Sequence, residues 1–315
     1  MKILFFGRGV ISTQYAWAFE KVGHTVEFYV RPGRKSEFGQ TVSLNIYDTR
    51  KNIKGKLINE EWSIKMIEDF NANHDYDLIF VSVQHYQFQQ ATEFLSDKIG
   101  KATLLIFNNF WDEPLEQITR LPADQLVWGF PQAGGGFNKN ILNGTLWGSI
   151  TIGTFGTEPT KKAVAVMNLF QSAGIKSNVI MDFRSWLFGH FIMNAAMHLE
   201  TLKYDSSNHL FDLDALQTTQ YWKNVKANGK ELLPILKVRN VNIKASPDLK
   251  MISLPPWLMS VVMKVVLRFL PAMKQLFTGH SNQRELKSYC QDVLKTAEKF
   301  NINLSRYEEN KELYR

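Results

Sequence analysis

Residues 2–12 read KILFFGRGVIS, and this stretch decides the fold of the first half of the chain. The short apolar run Lys2–Phe6 is typical of a buried parallel strand, and it ends at Gly7. Apolar residues then recur at helical spacing over residues 10–22. A glycine turn that joins a strand to a helix in this way predicts a βαβ unit that binds the pyrophosphate of a dinucleotide, with a plain turn as the alternative.

The residues of this turn have separate physical roles in the prediction. Gly7 permits the tight turn, and Gly9 lets backbone N–H groups approach a pyrophosphate at the helix N-terminus. Ser12 stands where such turns carry a third glycine, and its small side chain still permits close packing of the helix on the strand. The predicted cofactor-binding positions in the turn are Gly7, Arg8, Gly9, Val10, Ile11 and Ser12.

The residue after the second predicted strand bears on which dinucleotide binds. Arg31 stands where NAD sites usually carry an acidic residue for the ribose hydroxyls. Its guanidinium can pair with a 2′-phosphate, and Arg34 and Lys35 follow it. The sequence therefore favours NADP as the cofactor, with NAD as the alternative, although a solvated basic loop would give the same pattern.

The order of strand and helix signals extends this prediction along the chain. Apolar runs alternate with helical segments as far as residues 176–181, which is typical of a doubly wound α/β domain. After Asp182 only long helical segments follow, at residues 184–203, 213–238, 255–276 and 282–300. We therefore expect a Rossmann-type domain for the dinucleotide at residues 1–181. An all-α domain for the substrate and for dimerisation follows at residues 182–315.

Composition and charge exclude several classes of protein. The net charge of +7 comes from 37 basic and 30 acidic residues that are scattered, so no dense basic patch indicates a nucleic-acid partner. Cys290 is the only cysteine and cannot form an internal disulfide. Residues 254–273 are apolar but contain Lys264 and Arg268, which favours a buried or subunit-contacting helix, with an interfacial helix as the alternative. We expect a cytoplasmic protein with no membrane partner.

With these features in place, the chain resembles the ketopantoate reductase family along most of its length. The segments that carry the resemblance follow the family order: the glycine turn, Arg31, residues 77–87 (DLIFVSVQHYQ), 104–109 (LLIFNN), 148–153 (GSITIG) and 194–196 (NAA). The resemblance implies an active site between the two domains. It also implies reduction of a small anionic 2-oxo acid by NADPH, with a general acid supplied by the enzyme.

The catalytic helix that the resemblance implies departs from the family pattern. The family carries Lys, Asn and Asn at i, i+4 and i+8, and these positions are His190, Asn194 and His198 here. An imidazolium can give a proton to a developing alkoxide, so His190 is a candidate general acid, and a histidine that only packs is the alternative. Asn194 can hydrogen-bond the carbonyl, and His198 lines the substrate or is structural. His190 and His198 are about 12 Å apart along the helix, so we expect no metal site.

Four further positions enter through the resemblance or the predicted topology. Asn109 ends a strand and can contact the nicotinamide ribose or the substrate, which makes it the third catalytic candidate. Gln84 stands where the family has a lysine for the cofactor phosphate, and this weakens the choice of NADP. Glu285 corresponds to the family's substrate-binding glutamate if a gap is allowed, and His280 can face the substrate. Residues 134–136, three glycines, are interpreted as a flexible turn, with a phosphate cradle as the alternative.

These observations favour an NAD(P)H-dependent reductase of a small 2-oxo acid or a related carbonyl compound. Ketopantoate itself is not a secure substrate, because the lysine is replaced. The alternatives are an opine-type dehydrogenase with His190 as the acid and base, and a dinucleotide-binding protein without catalysis. The helical domain is the expected surface for a homodimer.

Overall fold

The computed structural model divides into two compact units, Met1–Met181 and Asp182–Arg315. It describes residues 1–204 and 210–315. Strands and helices alternate in the first unit, and the described part of the second unit is built from helices. The prediction of a Rossmann-type α/β domain followed by an all-α region is therefore confirmed.

The strands of the first unit form two sheets. In chain order they are β1 (Lys2–Phe6), β2 (Thr25–Tyr29), β3 (Thr41–Asp48), β4 (Lys56–Ser63), β5 (Met66–Ile67), β6 (Leu78–Val81), β7 (Thr103–Phe107), β8 (Leu126–Phe130), β9 (Ala133–Asn138), β10 (Ile141–Leu146), β11 (Ser149–Gly153) and β12 (Lys176–Ile180). The larger sheet has the order β12-β11-β8-β7-β6-β1-β2-β5, and only β8 and β11 pair antiparallel in it. The smaller sheet has the order β4-β3-β10-β9. The chain leaves β1 toward β2 on one side and later adds β6 and β7 on the other, which places the topological switch between β1 and β6.

The helices of the first unit fix the position of the glycine turn by packing on the strands. They are α1 (Val10–Glu20), α2 (Arg34–Phe38), α3 (Phe88–Leu95) and α4 (Lys161–Ser172). Phe19 of α1 packs against Phe5 of β1, with ring centroids 6.3 Å apart, and against Phe170 of α4 at 5.1 Å. Phe5 also packs against Phe80 of β6 at 4.8 Å. This aromatic core fixes β1 relative to α1, and so fixes the turn that joins them.

The second unit is arranged around one central helix. Its helices are α5 (Phe183–Thr201), α6 (Thr219–Val238), α7 (Lys250–Ser253), α8 (Pro256–Phe269), α9 (Pro271–Gly279), α10 (Gln283–Lys299) and α11 (Ser305–Glu309). The side chain of Asp182 caps α5 by accepting the N–H of Ser185 at 3.2 Å. Helix α5 packs on α6 and α10, and the ring of Phe191 stacks on Tyr289 of α10 at 4.1 Å. Most of α5 is buried, so its few partly exposed side chains are held in fixed positions.

The expected helix at residues 255–276 is two helices. Proline has no N–H and disfavours helical geometry in the residue before it. Leu270, which precedes Pro271, has φ −117° and ψ 87°, and α8 ends before it. No single helix in residues 1–204 and 210–315 is long and apolar enough to cross a membrane; the strongly bent pair Pro247–Ser253 and Pro256–Phe269 passes that test only when joined.

The interpretation of residues 134–136 as a flexible turn is wrong. These glycines lie in β9, which pairs antiparallel with β10. Gly135 has φ +131°, and a Cβ built on it would lie 2.1 Å from the backbone oxygen of Asn143. On the partner strand, a Cβ on Gly144 would lie 2.6 Å from the backbone oxygen of Gly134. Gly135 and Gly144 are therefore required because the two backbones approach too closely for side chains at these positions.

Candidate functional site

Four of the predicted site residues of the first unit lie at one edge of the larger sheet. Gly7 directly follows β1, Arg31 is the second residue after β2, Gln84 the third after β6 and Asn109 the second after β7. These four strands are neighbours and parallel, so their carboxyl ends meet at the same edge. Ligands of doubly wound sheets bind outside that edge, at the switch point, which here lies between Gly7 and Gln84.

The glycine turn has the backbone geometry that its sequence predicts. Gly7 has φ +98°, and its N–H donates to the backbone oxygen of Tyr29 at 2.9 Å. Gly9 is the exposed N-cap of α1 in an extended conformation, with φ −80° and ψ 171°. The first turn of α1 contains no acidic residue, and no side chain caps its N–H groups. The N–H groups of Val10 and Ile11 are thus available to an anion at the positive end of the helix.

Ser12 and Arg8 complete the turn in different ways. Ser12 is fully buried, in agreement with its interpretation as a small residue where helix packs on strand. The guanidinium of Arg8 lies 4.4 Å from the ring centroid of Phe38 and 4.7 Å from that of Phe137, and donates to Asn140 at 3.0 Å. Its Nε is buried and forms no hydrogen bond within the described residues. The turn therefore fits a dinucleotide: it offers free backbone donors and a buried cationic group whose Nε proton still needs an acceptor.

Basic side chains collect beside the turn. Arg34 also lies over Phe38, at 4.8 Å, and its guanidinium pairs with Glu37 at 2.7 Å. Burial, and then the charge of Arg34, lowers the pKa of Arg8 to about 10. Arg31 is exposed, and its backbone oxygen accepts the N–H of Arg34 at 3.0 Å. Like charges this close are relieved by a bound anion, and the carboxylate of Glu37 neutralises only part of the charge.

A hydrogen bond from Asn108, a residue that the sequence did not indicate, connects the loops after β6 and β7. Asn108 is buried, and its amide nitrogen donates to the backbone oxygen of Val83 at 2.6 Å. The side-chain oxygen of the neighbouring Asn109 accepts the N–H of Phe110 at 3.1 Å. Gln84 caps the short turn His85–Gln87, where its side chain accepts the N–H of Gln87. Gln84 thus has a structural role beside the sheet edge, and Asn109 is the half-buried polar group there.

His190 has a carboxylate partner from a distant part of the sequence. Its Nδ1 lies 2.6 Å from Oδ2 of Asp248, which belongs to the short turn Pro247–Leu249. The imidazole also stacks on Trp186, one turn earlier in α5, with ring centroids 5.1 Å apart and an interplanar angle of 5°. The side chain of His190 is 22% exposed. A partly exposed imidazole whose Nδ1 faces a carboxylate is oriented for proton transfer at Nε2.

The charge state of Asp248 follows from this pair. Burial alone would raise the pKa of Asp248, but the hydrogen bond and the charge of His190 outweigh burial and hold it below the usual value. Asp248 is therefore ionised at neutral pH. An ionised carboxylate on Nδ1 fixes the tautomer of the neutral imidazole and stabilises the imidazolium.

The other candidates of the second unit gather around one cavity of about 160 Å³. Asn194, His198 and His280 line it together with four apolar side chains. His198 is buried, and its ring meets Tyr289 edge-on at 4.8 Å. Nε2 of His280 lies 3.7 Å from a carboxylate oxygen of Glu285. Asn194, His198 and His280, which the sequence indicated separately, thus line one cavity, with Glu285 beside His280. His190 is not part of this lining and lies beside Asp248.

Residues 3–156 match the family described as Ketopantoate reductase PanE/ApbA. The resemblance expected from the sequence is therefore confirmed. No curated protein matches the chain.

Several solved structures share the fold over the whole chain. D-mandelate dehydrogenase in complex with NADH and anilino(oxo)acetate superposes with a TM-score of 0.69 at 14% identity, covering 100% of this chain and 97% of the other. The 2-dehydropantoate 2-reductase of Geobacter metallireducens GS-15 gives 0.67 at 14% identity, with 100% and 99% covered. The dimeric ketopantoate reductase of Staphylococcus aureus gives 0.62 at 9% identity, with 99% and 97% covered. All three are oxidoreductases, and at these identities the likeness establishes the fold.

Proposed function

We propose that this chain, whose residues 3–156 match the ketopantoate reductase family, is an NAD(P)H-dependent reductase of a small 2-oxo acid or related carbonyl compound. One observation carries the proposal: where the resemblance implies the general-acid lysine, His190 is paired with Asp248 at 2.6 Å. A histidine that only packed in a helical bundle would not need an ionised carboxylate. The overall reaction converts the 2-oxo acid, NAD(P)H and one proton into the 2-hydroxy acid and NAD(P)⁺.

The residues of the first unit bind and orient the cofactor in this proposal. Gly7 and Gly9 shape the turn, and the N–H groups of Val10 and Ile11 receive the pyrophosphate. Arg31 offers its guanidinium to a 2′-phosphate, so NADPH is the preferred cofactor and NADH the weaker one. Reduced nicotinamide, when bound, supplies a hydride to the carbonyl carbon.

In this proposal, the residues of the second unit deliver the proton to the substrate. The imidazolium of His190 donates its Nε2 proton to the carbonyl oxygen, while Asp248 holds Nδ1 and compensates the positive charge. Asn194, one helical turn further along α5, donates a hydrogen bond to the same oxygen. His280 and Glu285 form a second polar pair that contacts the substrate.

A substrate screen tests the proposed reaction. Purified protein is mixed with NADPH or NADH and a panel of 2-oxo acids, and the fall in nicotinamide absorbance is followed. The proposal expects oxidation that depends on a 2-oxo acid and is faster with NADPH. Oxidation that also needs an added amino acid would indicate an opine-type dehydrogenase. Tight NADPH binding without any turnover would indicate a dinucleotide-binding protein without catalysis.

We also propose that the chain forms a homodimer through α8. Trp257, Val261, Val265 and Phe269 follow one another at helical spacing and are all exposed, Trp257 to 59%. A structural relative is dimeric. In a two-fold antiparallel pairing of α8, Arg268 of one copy would lie opposite Trp257 of the other, a favourable cation–π arrangement.

The assembly is tested by sedimentation of the full chain. Trp257→Glu should convert a dimer into a monomer, because it buries a charge in an apolar interface. Phe300→Glu, a matched change at an exposed aromatic residue of α10's C-terminal end, should leave the dimer intact. A monomeric wild type, or a dimer that survives Trp257→Glu, would contradict the assignment of α8.

A further inference from the structure

Apart from its three polar residues, the cavity beside α5 has an apolar lining. Met197, Phe211, Leu276 and Phe277 supply its apolar lining. They come from α5, from the segment before α6, and from α9, so the cavity is built by three separate parts of the chain. Its volume is about 160 Å³. An apolar cavity of about 150 Å³ in another protein accommodates benzene, so this one has room for a six-membered ring.

The shape of the lining favours an aromatic occupant. Phe211 meets Phe277 edge-on, with ring centroids 5.3 Å apart, and meets His280 edge-on at 5.6 Å. His198 faces the same phenylalanine at 6.4 Å. Rings arranged in this way present both edges and faces, and a further ring can pack on them in the offset or edge-to-face geometry that aromatic pairs prefer.

The cavity lies close to the position proposed for the reacting carbonyl of the substrate. Asn194 lines the cavity and follows His190 by one turn of α5, a rise of about 6 Å. Side chains at i and i+4 share a helical face. When His190 and Asn194 both hydrogen-bond the carbonyl oxygen of a 2-oxo acid, the group attached to the carbonyl carbon can therefore reach the cavity.

We propose that this cavity binds the side chain of the substrate, and that the substrate class is 2-oxo acids with an aromatic ring or an apolar group of similar size. The assignment rests on the proposed reductase function. It adds that Leu276 and Phe277 determine which 2-oxo acid is preferred, while Asn194 and the two histidines hold the polar end. Small 2-oxo acids leave the cavity unfilled and are poor substrates.

Kinetics with two substrates test the assignment. Benzoylformate carries a phenyl group and pyruvate a methyl group, and both are reduced at the same carbonyl. A filled apolar pocket is worth about tenfold or more in kcat/KM, so benzoylformate should exceed pyruvate by at least that factor. Equal values, or a higher value for pyruvate, would overturn the assignment of the cavity and leave the reductase function standing.

A substitution that fills the cavity makes the test specific. Leu276→Trp should lower kcat/KM for benzoylformate at least about tenfold and leave that for pyruvate nearly unchanged. Leu233→Trp, at a leucine of α6 that is also half-buried but does not line the cavity, should change neither value. Loss of both substrates in Leu276→Trp, with Leu233→Trp active, would indicate general disruption and overturn the assignment.

Equilibrium binding separates a failure of this inference from a failure of the proposed function. Calorimetry of benzoylformate with wild type and with Leu276→Trp, each saturated with NADP⁺, needs no turnover. Binding that Leu276→Trp weakens at least about tenfold supports the cavity even if no 2-oxo acid is reduced, in which case only the proposed reaction fails. Binding that is absent in wild type, or unaffected by Leu276→Trp, overturns the cavity assignment whatever the kinetics show.

Discussion

The glycine turn of the first unit and helix α5 of the second perform different kinds of recognition. The turn offers backbone N–H groups, and the glycine at position 7 matters because its φ is +98°. Helix α5 offers side chains, and His190 depends on Asp248, 58 positions further along the chain. In the proposed function, the turn therefore determines whether a dinucleotide binds, while α5 determines how the second substrate reacts. Changes at the two regions should therefore have separable effects.

The largest expected effect is on cofactor binding through Gly9. A side chain at Gly9 meets no close atom, since its Cβ would lie 3.9 Å from the backbone oxygen of Ser82, and its backbone is extended. Gly9→Asp should therefore fold, but its carboxylate would face the pyrophosphate. Repulsion of several kcal/mol corresponds to at least about a thousandfold weaker NADPH binding, measured by calorimetry.

Gly9→Ala is the matched control for this change. It adds the same Cβ without the charge and should weaken NADPH binding far less. If Gly9→Asp keeps wild-type affinity, the cofactor does not bind at this turn, and the two regions do not have the separate roles proposed for them.

The next effect is on turnover through His190. A positioned general acid contributes roughly a hundredfold to ten-thousandfold in rate. His190→Ala should lower kcat by about that factor and leave the affinity for NADPH nearly unchanged. His198→Ala, on the same helix but within the cavity lining, should change KM more than kcat. Near-wild-type turnover in His190→Ala would falsify the general-acid role and direct attention to His198 or His280.

A smaller effect is expected on the choice of cofactor. Arg31 offers one charge-assisted contact to a 2′-phosphate, which corresponds to a preference for NADPH over NADH of about ten- to a hundredfold. Arg31→Ala should remove this preference without changing kcat at saturating cofactor. A wild type that prefers NADH would contradict the role of Arg31 and leave the rest of the turn's function intact.

The smallest effect concerns Asp248. Asp248→Asn should slow turnover roughly tenfold, because an amide does not stabilise the imidazolium. The pKa of Asp248 is lowered in the folded protein, so its ionised form adds stability above the unfolded value of about 3.9, and this is lost as pH falls through the folded value. The difference in Tm between wild type and Asp248→Asn should thus narrow in acid below about pH 4. A constant difference would indicate that the carboxylate charge is not what matters.

The sequence predicted those parts of the molecule that depend on local rules. The strand Lys2–Phe6, the turn and the start of α1 follow from apolar patterning and glycine geometry within a dozen residues. The change from alternating strands to helices was also visible in patterning, and it coincides with the start of α5. The break at Pro271 was missed because the apolar spacing of residues 255–276 continues across it.

The parts that were missed depend on contacts between distant segments. Nothing near Asp248 in the sequence marks it as the partner of His190, because the pair forms only when the turn Pro247–Leu249 packs on α5. Residues 134–136 have the composition of a loop, but they pair with β10, and the close approach of the two backbones leaves no room for side chains there. His198 and His280 are far apart in the sequence, and only the folded chain places both beside Phe211, around one cavity.

The pH dependence of turnover in wild type and in His190→Lys shows whether residue 190 is the proton donor. The wild-type rate of carbonyl reduction should fall with rising pH as the imidazolium that serves as the general acid is lost. His190→Lys should keep partial activity, and its fall should move to higher pH, because a lysine holds its proton longer. Identical pH profiles in the two proteins would contradict the account, since the proton would then come from a group other than residue 190.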